Sequence, residues 1–283
     1  MILVIGATAH FGRRTVEVLA SGGRRVRALS RTPELAGLPE GVEVVHGDLV
    51  RPETLGPALD GVTEMFLVLP HGVDVQPLLD RVRQAGVRQI VFLSSGAVAE
   101  GGDPQSDVIA AHHARVEREI RATGVAWTFL RLYVPAIGSS SRAMRFQGGD
   151  VVRGPHAAVA AAVAHERDVA EVAAAVLGEA EHFGRIYEPT GPRTPTQTEH
   201  VEQVVLLGRA LVRELSFEEV AEQITQQQLS QFMDADFVGA LLELMVGTAG
   251  KPALAVNDTV AKLTGHPARP FAQWVADHLA DFR

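Results

Sequence analysis

Runs of apolar residues at positions 2–5, 26–29, 42–45, 65–69 and 90–93 punctuate the first third of the chain. Each is too brief for a helix and stops at glycine, proline or a polar cluster, the signature of a strand buried on both faces of a parallel sheet. Between these runs the period changes. After Gly12, the apolar Val16, Leu19 and Ala20 recur at helical spacing, with Arg13, Arg14 and Glu17 between them. Pro52 stands where it opens a helix, and a helical stretch over 75–84 is closed by Gly86, a natural C-cap. The alternation predicts an α/β fold, a doubly wound parallel sheet with ligands bound beyond the carboxyl ends of its strands. After the sixth strand, which ends near Arg131, the pattern loosens. Positions 186–187 read as a short returning strand, and 197–207 and 217–228 as helices with charged faces. Asp168 reads as a helix N-cap. The tail sets Phe271, Val275, Leu279 and Phe282 on one helical face, for docking on the body or on a second subunit.

The strand ends carry the candidate chemistry. They are Thr8, Arg31, Asp48, Pro70 and the pair Ser94-Ser95. The segment from Gly6 through Thr8, Ala9, His10 and Phe11 to Gly12 joins a strand to a helix through mostly small residues. Backbone N–H groups and the positive end of the helix then converge on one place, suited to a pyrophosphate. The spacing is not G-x-G-x-x-G. It is nearer to G-x-x-G-x-x-G with Ala9 at the middle glycine, where a methyl group is expected to crowd the loop. Arg31 lies about twenty residues beyond, where dinucleotide folds read the adenosine ribose. Its guanidinium offers donors to a 2′-phosphate, which favours NADPH and leaves NADH as the alternative.

Composition narrows the field. The 283 residues are 46% hydrophobic with a formal net charge of −8, so a broad nucleic-acid surface is not expected. There is no cysteine, which excludes disulfides, thiol catalysis and cysteine-ligated clusters. The eleven histidines show no metal-binding spacing, and no metal is expected. No apolar stretch reaches the roughly 18–20 residues of a membrane span, and residues 2–5 read as a strand rather than a leader. A cytoplasmic chain, monomeric or homodimeric, acting on a small molecule without a nucleic-acid or membrane partner, is the expectation.

Several segments taken in order carry a resemblance. They are Gly6-Ala7-Thr8, the stretch from Val26 to Pro33, Gly47-Asp48-Leu49, and the stretch from Ala85 to Ser95. Positions 116–120 and 124–131, Asp168-Val169-Ala170 and the run from Leu263 to Pro267 extend it over nearly the whole chain. Together they resemble the NmrA-like branch of the atypical short-chain dehydrogenases/reductases. The resemblance implies a Rossmann-type domain over residues 1–135. Residues 136–283 would form a smaller, mainly substrate-binding α/β region, partly interleaved with the sheet. It implies cofactor contacts from Gly6, Thr8, Ala9, His10, Phe11, Gly12, Arg31, Asp48, Leu49, Leu69, Pro70 and Ser94. It implies hydride transfer from NAD(P)H to a quinone-like or aromatic polyketide substrate.

One departure matters. Catalytic members of the wider superfamily carry Tyr-x-x-x-Lys with a glutamate four residues beyond the lysine. Anchoring on Glu117 puts His113 at the lysine position and Ile109 at the tyrosine position. His112 and His113 are neighbours on a helix, so at most one is expected to reach the cofactor. His113 is the candidate proton donor, with Ser95 as a second catalytic candidate. Tyr133, His71 and Phe146 are the candidate substrate contacts, the last in a lid with Met144 and Gly148 after a loop at 138–141. Loss of tyrosine and lysine keeps a second reading open, a dinucleotide-sensing regulator without turnover. A third is an isomerase or epimerase that uses NAD without net redox change.

Overall fold

The computed structural model describes residues 1–101, 105, 107–133, 135–136, 151–154, 163–192, 208–209, 216–231, 234–247 and 256–282. Positions 137–150, with Phe146 and the expected lid, and the expected helix at 197–207 lie outside the described residues.

Seven strands form one parallel sheet: β1 (Ile2–Ile5), β2 (Val26–Ser30), β3 (Glu43–His46), β4 (Glu64–Leu67), β5 (Gln89–Ser95), β6 (Ala126–Leu132) and β8 (Arg185–Tyr187). Their order is β3-β2-β1-β4-β5-β6-β8. The chain starts in the middle, winds outward to β3, then crosses to β4 and winds the other way. The order reverses between β1 and β4, where Ile2 pairs with Glu64 and Val4 with Phe66. A crevice opens at such a point because the connections leave the strand ends in opposite directions. The seventh strand comes from the second half of the chain, pairing Thr128 with Arg185. A separate two-stranded parallel ladder joins β7 (Val151–Gly154) to β9 (Ser216–Glu219). The stretch at 217–228 is therefore not one helix. It starts in β9 and becomes helical only at Glu222–Leu229.

Alternation along the strands splits the core in two, since successive side chains face opposite ways. Leu3, Ile5, Met65, Leu67, Ile90, Phe92 and Phe129 face one side. They pack under α2 (Gly56–Leu59), α3 (Gln76–Ala85) and α4 (Val108–Ala122). Ile2, Val4, Val26, Ala28, Phe66, Val91 and Leu130 face the other. These lie under α1 (His10–Ser21) and α5 (Glu166–Val176). The buried Gln89 inside the sheet is paired at both ends of its amide. Gln89 donates to Thr128 Oγ1 at 3.0 Å and to the Val176 carbonyl, and accepts from the Gly178 N–H at 2.7 Å. These bonds fix where α5 ends against the sheet. Pro52 begins a 3-10 turn, and Gly86 closes α3 at φ 76°.

Past the sheet come α6 (Glu222–Leu229), α7 (Ala235–Gly247), α8 (Thr259–Thr264) and α9 (Phe271–Asp277). The N-cap of α5 is His165, whose Nδ1 accepts from the Arg167 N–H at 3.1 Å. Asp168 is not the cap. It lies buried in the first turn and accepts from the Arg269 N–H at 2.7 Å, pinning the 265–270 turn. The tail docks on its own body, by a different face from the one the periodicity suggests. Trp274 and Val275 are its buried residues, because Trp274 Nε1 donates to buried Glu166 at 3.0 Å. The helix ends at Asp277, so Leu279 falls in a 3-10 turn instead of continuing the stripe.

Candidate active site

The loop between β1 and α1 is closed by steric contact. Gly6 adopts φ 77°, and a Cβ on it would lie 2.9 Å from Val68 Cβ. A Cβ on Gly12 would lie 2.1 Å from the Gly6 carbonyl oxygen. Only glycine lets the first turn of α1 sit this close to the end of β1. Ala9 is the N-cap of α1 at φ −97° and ψ 166°, with no side-chain cap. This is ordinary extended backbone, so its methyl demands no altered loop, contrary to the sequence expectation. No acidic residue stands in the first turn of α1, and Thr8, Ala9 and His10 are exposed. The first N–H groups of the helix and its positive end are thereby open to an anion. These residues fit the pyrophosphate of a dinucleotide.

The adenosine side lies along β2 and β3. Arg31 is exposed at the end of β2. Arg13, which the sequence reading passed over, donates to the Ala36 and Gly37 carbonyls at 2.9 and 2.6 Å. It ties the residue after Gly12 to the loop beyond Arg31. Asp48 is used in its own turn, accepting from the Val50 N–H at 3.2 Å and pairing with Arg51 at 3.4 Å. Leu49 is half-buried beside it. Leu69 is buried and Pro70 exposed at the end of β4, next to the order reversal.

The end of β5 divides its two serines. Ser94 Oγ donates to Glu117 Oε1 at 2.7 Å, so the hydroxyl is spent on α4 and not on the crevice. Glu117, 1% exposed, also accepts from Arg131 Nε at 3.0 Å and from Nη2 at 2.7 Å. This bidentate pair locks α4 to the ends of β5 and β6. Ser95 Oγ accepts from the Ala97 N–H at 3.2 Å, and its own proton is left for another partner. Gly96 carries the ring of Tyr133 against its backbone; a Cβ there would lie 2.4 Å from the ring. The Tyr133 hydroxyl donates to Glu188 at 3.1 Å. Burial, then the Glu188 charge and this bond, push it up to about 12. Its proton is held, so Tyr133 is a wall of the crevice and not an acid.

Because α4 runs antiparallel to the strands, the step from Glu117 back to His113 moves one turn, about 5.4 Å, beyond the level of Ser94 and Arg131. His113 sits there with its ring centroid 5.7 Å from Phe92 and 5.4 Å from His112. His112 turns the other way, to His71 at 4.8 Å, and His71 meets Phe237 of α7 at 5.0 Å. Burial, then the neighbouring imidazoles, bring His113 down to about 3. Burial, His71 and Arg115 bring His112 down to about 4. Both rings are neutral near pH 7, so His113 is not a standing imidazolium acid. The sequence reading found His113 and His71 and set His112 aside in favour of His113; the ring of His112 completes the group.

Among the described residues, the one group of carboxylates and imidazoles close enough to hold an ion is Asp168, Glu171 and His266. Arg269 already fills its centre, paired with Asp168 and, at 2.8 Å, with Glu171. No helix among the described residues is long and apolar enough to cross a membrane.

Residues 6–180 match the sequence profile of an NAD(P)H-binding family. The chain is similar to a (4-alkanoyl-5-oxo-2,5-dihydrofuran-3-yl)methyl phosphate reductase of Streptomyces griseus, at 36% identity over 100% of this chain and 99% of the relative. It is similar to an NAD(P)H azoreductase of Xenophilus azovorans, at 30% identity over 100% and 99%. Among solved structures it resembles an NADPH-dependent quinone oxidoreductase of Escherichia coli. That likeness has a TM-score of 0.79 and 24% identity, covering 98% of this chain and 99% of the other.

Proposed function

The chain belongs to the NAD(P)H-binding family and is an NAD(P)H-dependent reductase, and from that premise we propose that its acceptor is a conjugated, electron-poor system such as a quinone, an aromatic polyketide or an unsaturated lactone. The observation that carries the reading is the lack, among the described residues, of a ready acid at the rim. Tyr133 has its proton held by Glu188, and His112 and His113 are neutral. A simple ketone becomes a localised alkoxide and needs a strong proton donor. A conjugated acceptor spreads the new charge over its own oxygens and needs chiefly positioning and a few neutral donors. The related reductase of Streptomyces griseus is named for a conjugated acyl lactone, and the azoreductase for a conjugated azo group, chemistries of the same kind.

When bound, the reduced nicotinamide supplies the hydride. The residues of this chain hold and orient. The α1 terminus, with Thr8, Ala9, His10, Phe11 and Gly12, takes the pyrophosphate. Arg31 takes the 2′-phosphate, which makes NADPH the preferred form. Asp48, Leu49, Leu69 and Pro70 line the adenosine and nicotinamide ends. The ring of Tyr133 walls the acceptor, and Ser95 donates a hydrogen bond to the oxygen that gains charge. Since the tail is spent on its own body, a cytoplasmic monomer is the simplest assembly. Residues 136–283 supply the substrate side.

The test uses NADPH deuterated at C4 with a hydroxynaphthoquinone, an α-acyl butenolide and an unconjugated cyclic ketone. Label is expected in the reduced lactone, with cofactor oxidation by the quinone and none by the ketone. Cofactor binding without oxidation by any of the three would hand the case to the sensor.

A further inference from the structure

We propose that His71, His112 and His113 form a subsite for a phosphate monoester carried by the substrate, beside the place where its conjugated acceptor is reduced. This deepens the reductase reading and rests on it. Three imidazoles meet at one edge of the crevice, contributed by the loop after β4 and by the second turn of α4, with centroids 4.8 and 5.4 Å apart in succession. His112 is only 7% exposed, yet its Nε2 has no hydrogen-bond partner among the described residues, and neither has Nδ1 of His113. Buried ring nitrogens are normally paired. Two unpaired ones in adjacent rings at the rim of a binding crevice mark a place for a ligand that brings the missing partner. His71 is exposed and lies over His112, so it forms the outer jaw.

The arrangement suits an anion and not a metal. Among the described residues, the nitrogens of these three rings do not come close enough together to hold one ion. The charges around them, among the described residues, are few. Arg115 stands beyond His112 and is shared with Glu119 at 3.2 Å and Asp74 at 3.7 Å. Asp107 faces His113 and caps α4 by accepting from the Ala110 N–H at 2.8 Å. On α7, Asp234 caps its own helix by accepting from the Phe237 N–H at 3.0 Å, and Asp236 is exposed. None of these is placed to neutralise all three rings.

A phosphate monoester has several acceptor oxygens, enough for three rings, and a second pKa near 6. Burial keeps His112 and His113 unprotonated. A dianion among them favours their charged form, so binding near pH 7 takes up a proton, which lies in the bond between ring nitrogen and phosphate oxygen and is not offered to the acceptor. A monocarboxylate offers two oxygens and a single negative charge, so it holds the three rings more weakly.

The test saturates the protein with NADP+, so that the pyrophosphate site on α1 is filled, and titrates phenyl phosphate by calorimetry at pH 7 in buffers of different ionisation heat. Expected are saturable binding with uptake of a proton, and at least tenfold weaker binding of benzoate. At least tenfold loss of phenyl phosphate affinity is expected in His112→Gln and in His71→Ala. NADP+ affinity checks that each variant is folded; if His112→Gln fails this check, exposed His71→Ala decides alone. Absence of binding, binding without proton uptake, equal affinity for benzoate, or native affinity in the folded variants overturns the subsite. Phosphate binding with no hydride transfer to any acceptor leaves the subsite standing and removes the reductase reading. The converse removes the subsite alone.

Discussion

Single residues set the selectivity and the proton chemistry. Arg31 is exposed, so its bond to a 2′-phosphate falls at the weak end of the about 1.5–3 kcal/mol of charged pairs. Arg31→Ala should weaken NADPH by about tenfold and leave NADH nearly unchanged, as read by fluorescence titration with both cofactors. Equal losses would mean that the guanidinium serves only adenine or solvent. His112 and His113 control an acid limb of stability. Their folded values, about 4 and about 3, lie below the unfolded 6.5, so the unfolded chain binds more protons between these limits. Stability should therefore be fully present above pH 6.5 and fall as pH drops, by at most about 1.4 kcal/mol per pH unit for each ring. Urea titrations of the native protein and of the double variant His112→Gln/His113→Gln, run from pH 4.5 to 7.5, measure it. A slope unchanged in the variant would assign the limb to other groups.

Whole elements decide whether the crevice exists. The turn from β1 into α1 depends on Gly12, whose missing side chain lets α1 start against the Gly6 carbonyl. Gly12→Val is therefore no clean binding probe, since it would push α1 off the sheet as well as block the anion. Thr8→Asp is the better one. Thr8 is exposed, so the fold should survive while the added charge repels the pyrophosphate and lowers affinity at least tenfold; unchanged affinity would move the cofactor elsewhere. At the other side of the site, α4 is held by the buried Glu117–Arg131 pair. Glu117→Gln leaves Arg131 with Glu100 alone, at 2.6 Å. The loss should lie toward the lower part of the about 3–5 kcal/mol for breaking a buried pair, measured by urea unfolding.

At the scale of the molecule, the last helix closes the fold beside the cofactor helix. Glu166 is the joint: it accepts from Trp274 Nε1, lies 2.8 Å from His278 Nε2 and 4.0 Å from Arg14 of α1. Trp274→Phe removes the donor and leaves most of the ring packing; Trp274→Ala also opens a cavity. The second should cost about 3–5 kcal/mol and the first clearly less, with the midpoint of thermal unfolding as the readout. Equal and negligible effects would show that the tail is not part of the stable body.

The strands and first helices were legible because their signals are local. An apolar run buried on both faces, a glycine that meets backbone and a glycine that ends a helix each need only neighbours in sequence. The doubly wound parallel sheet followed from the alternation, and the tight turn from β1 into α1 from the glycines that join them; the order β3-β2-β1-β4-β5-β6-β8 was set by strand pairing between distant segments. What lies beyond came from contacts between distant segments. Asp168 looked like a cap because it precedes an apolar run; Arg269, about a hundred positions away, makes it a buried ion-pair member. The face of the tail was set by a partner for the indole N–H, Glu166, rather than by the spacing of apolar residues. His113 stood out by its position before Glu117, but whether it is charged depends on burial among Phe92, His112 and His71. These come from three elements that only the folded sheet and helices bring together.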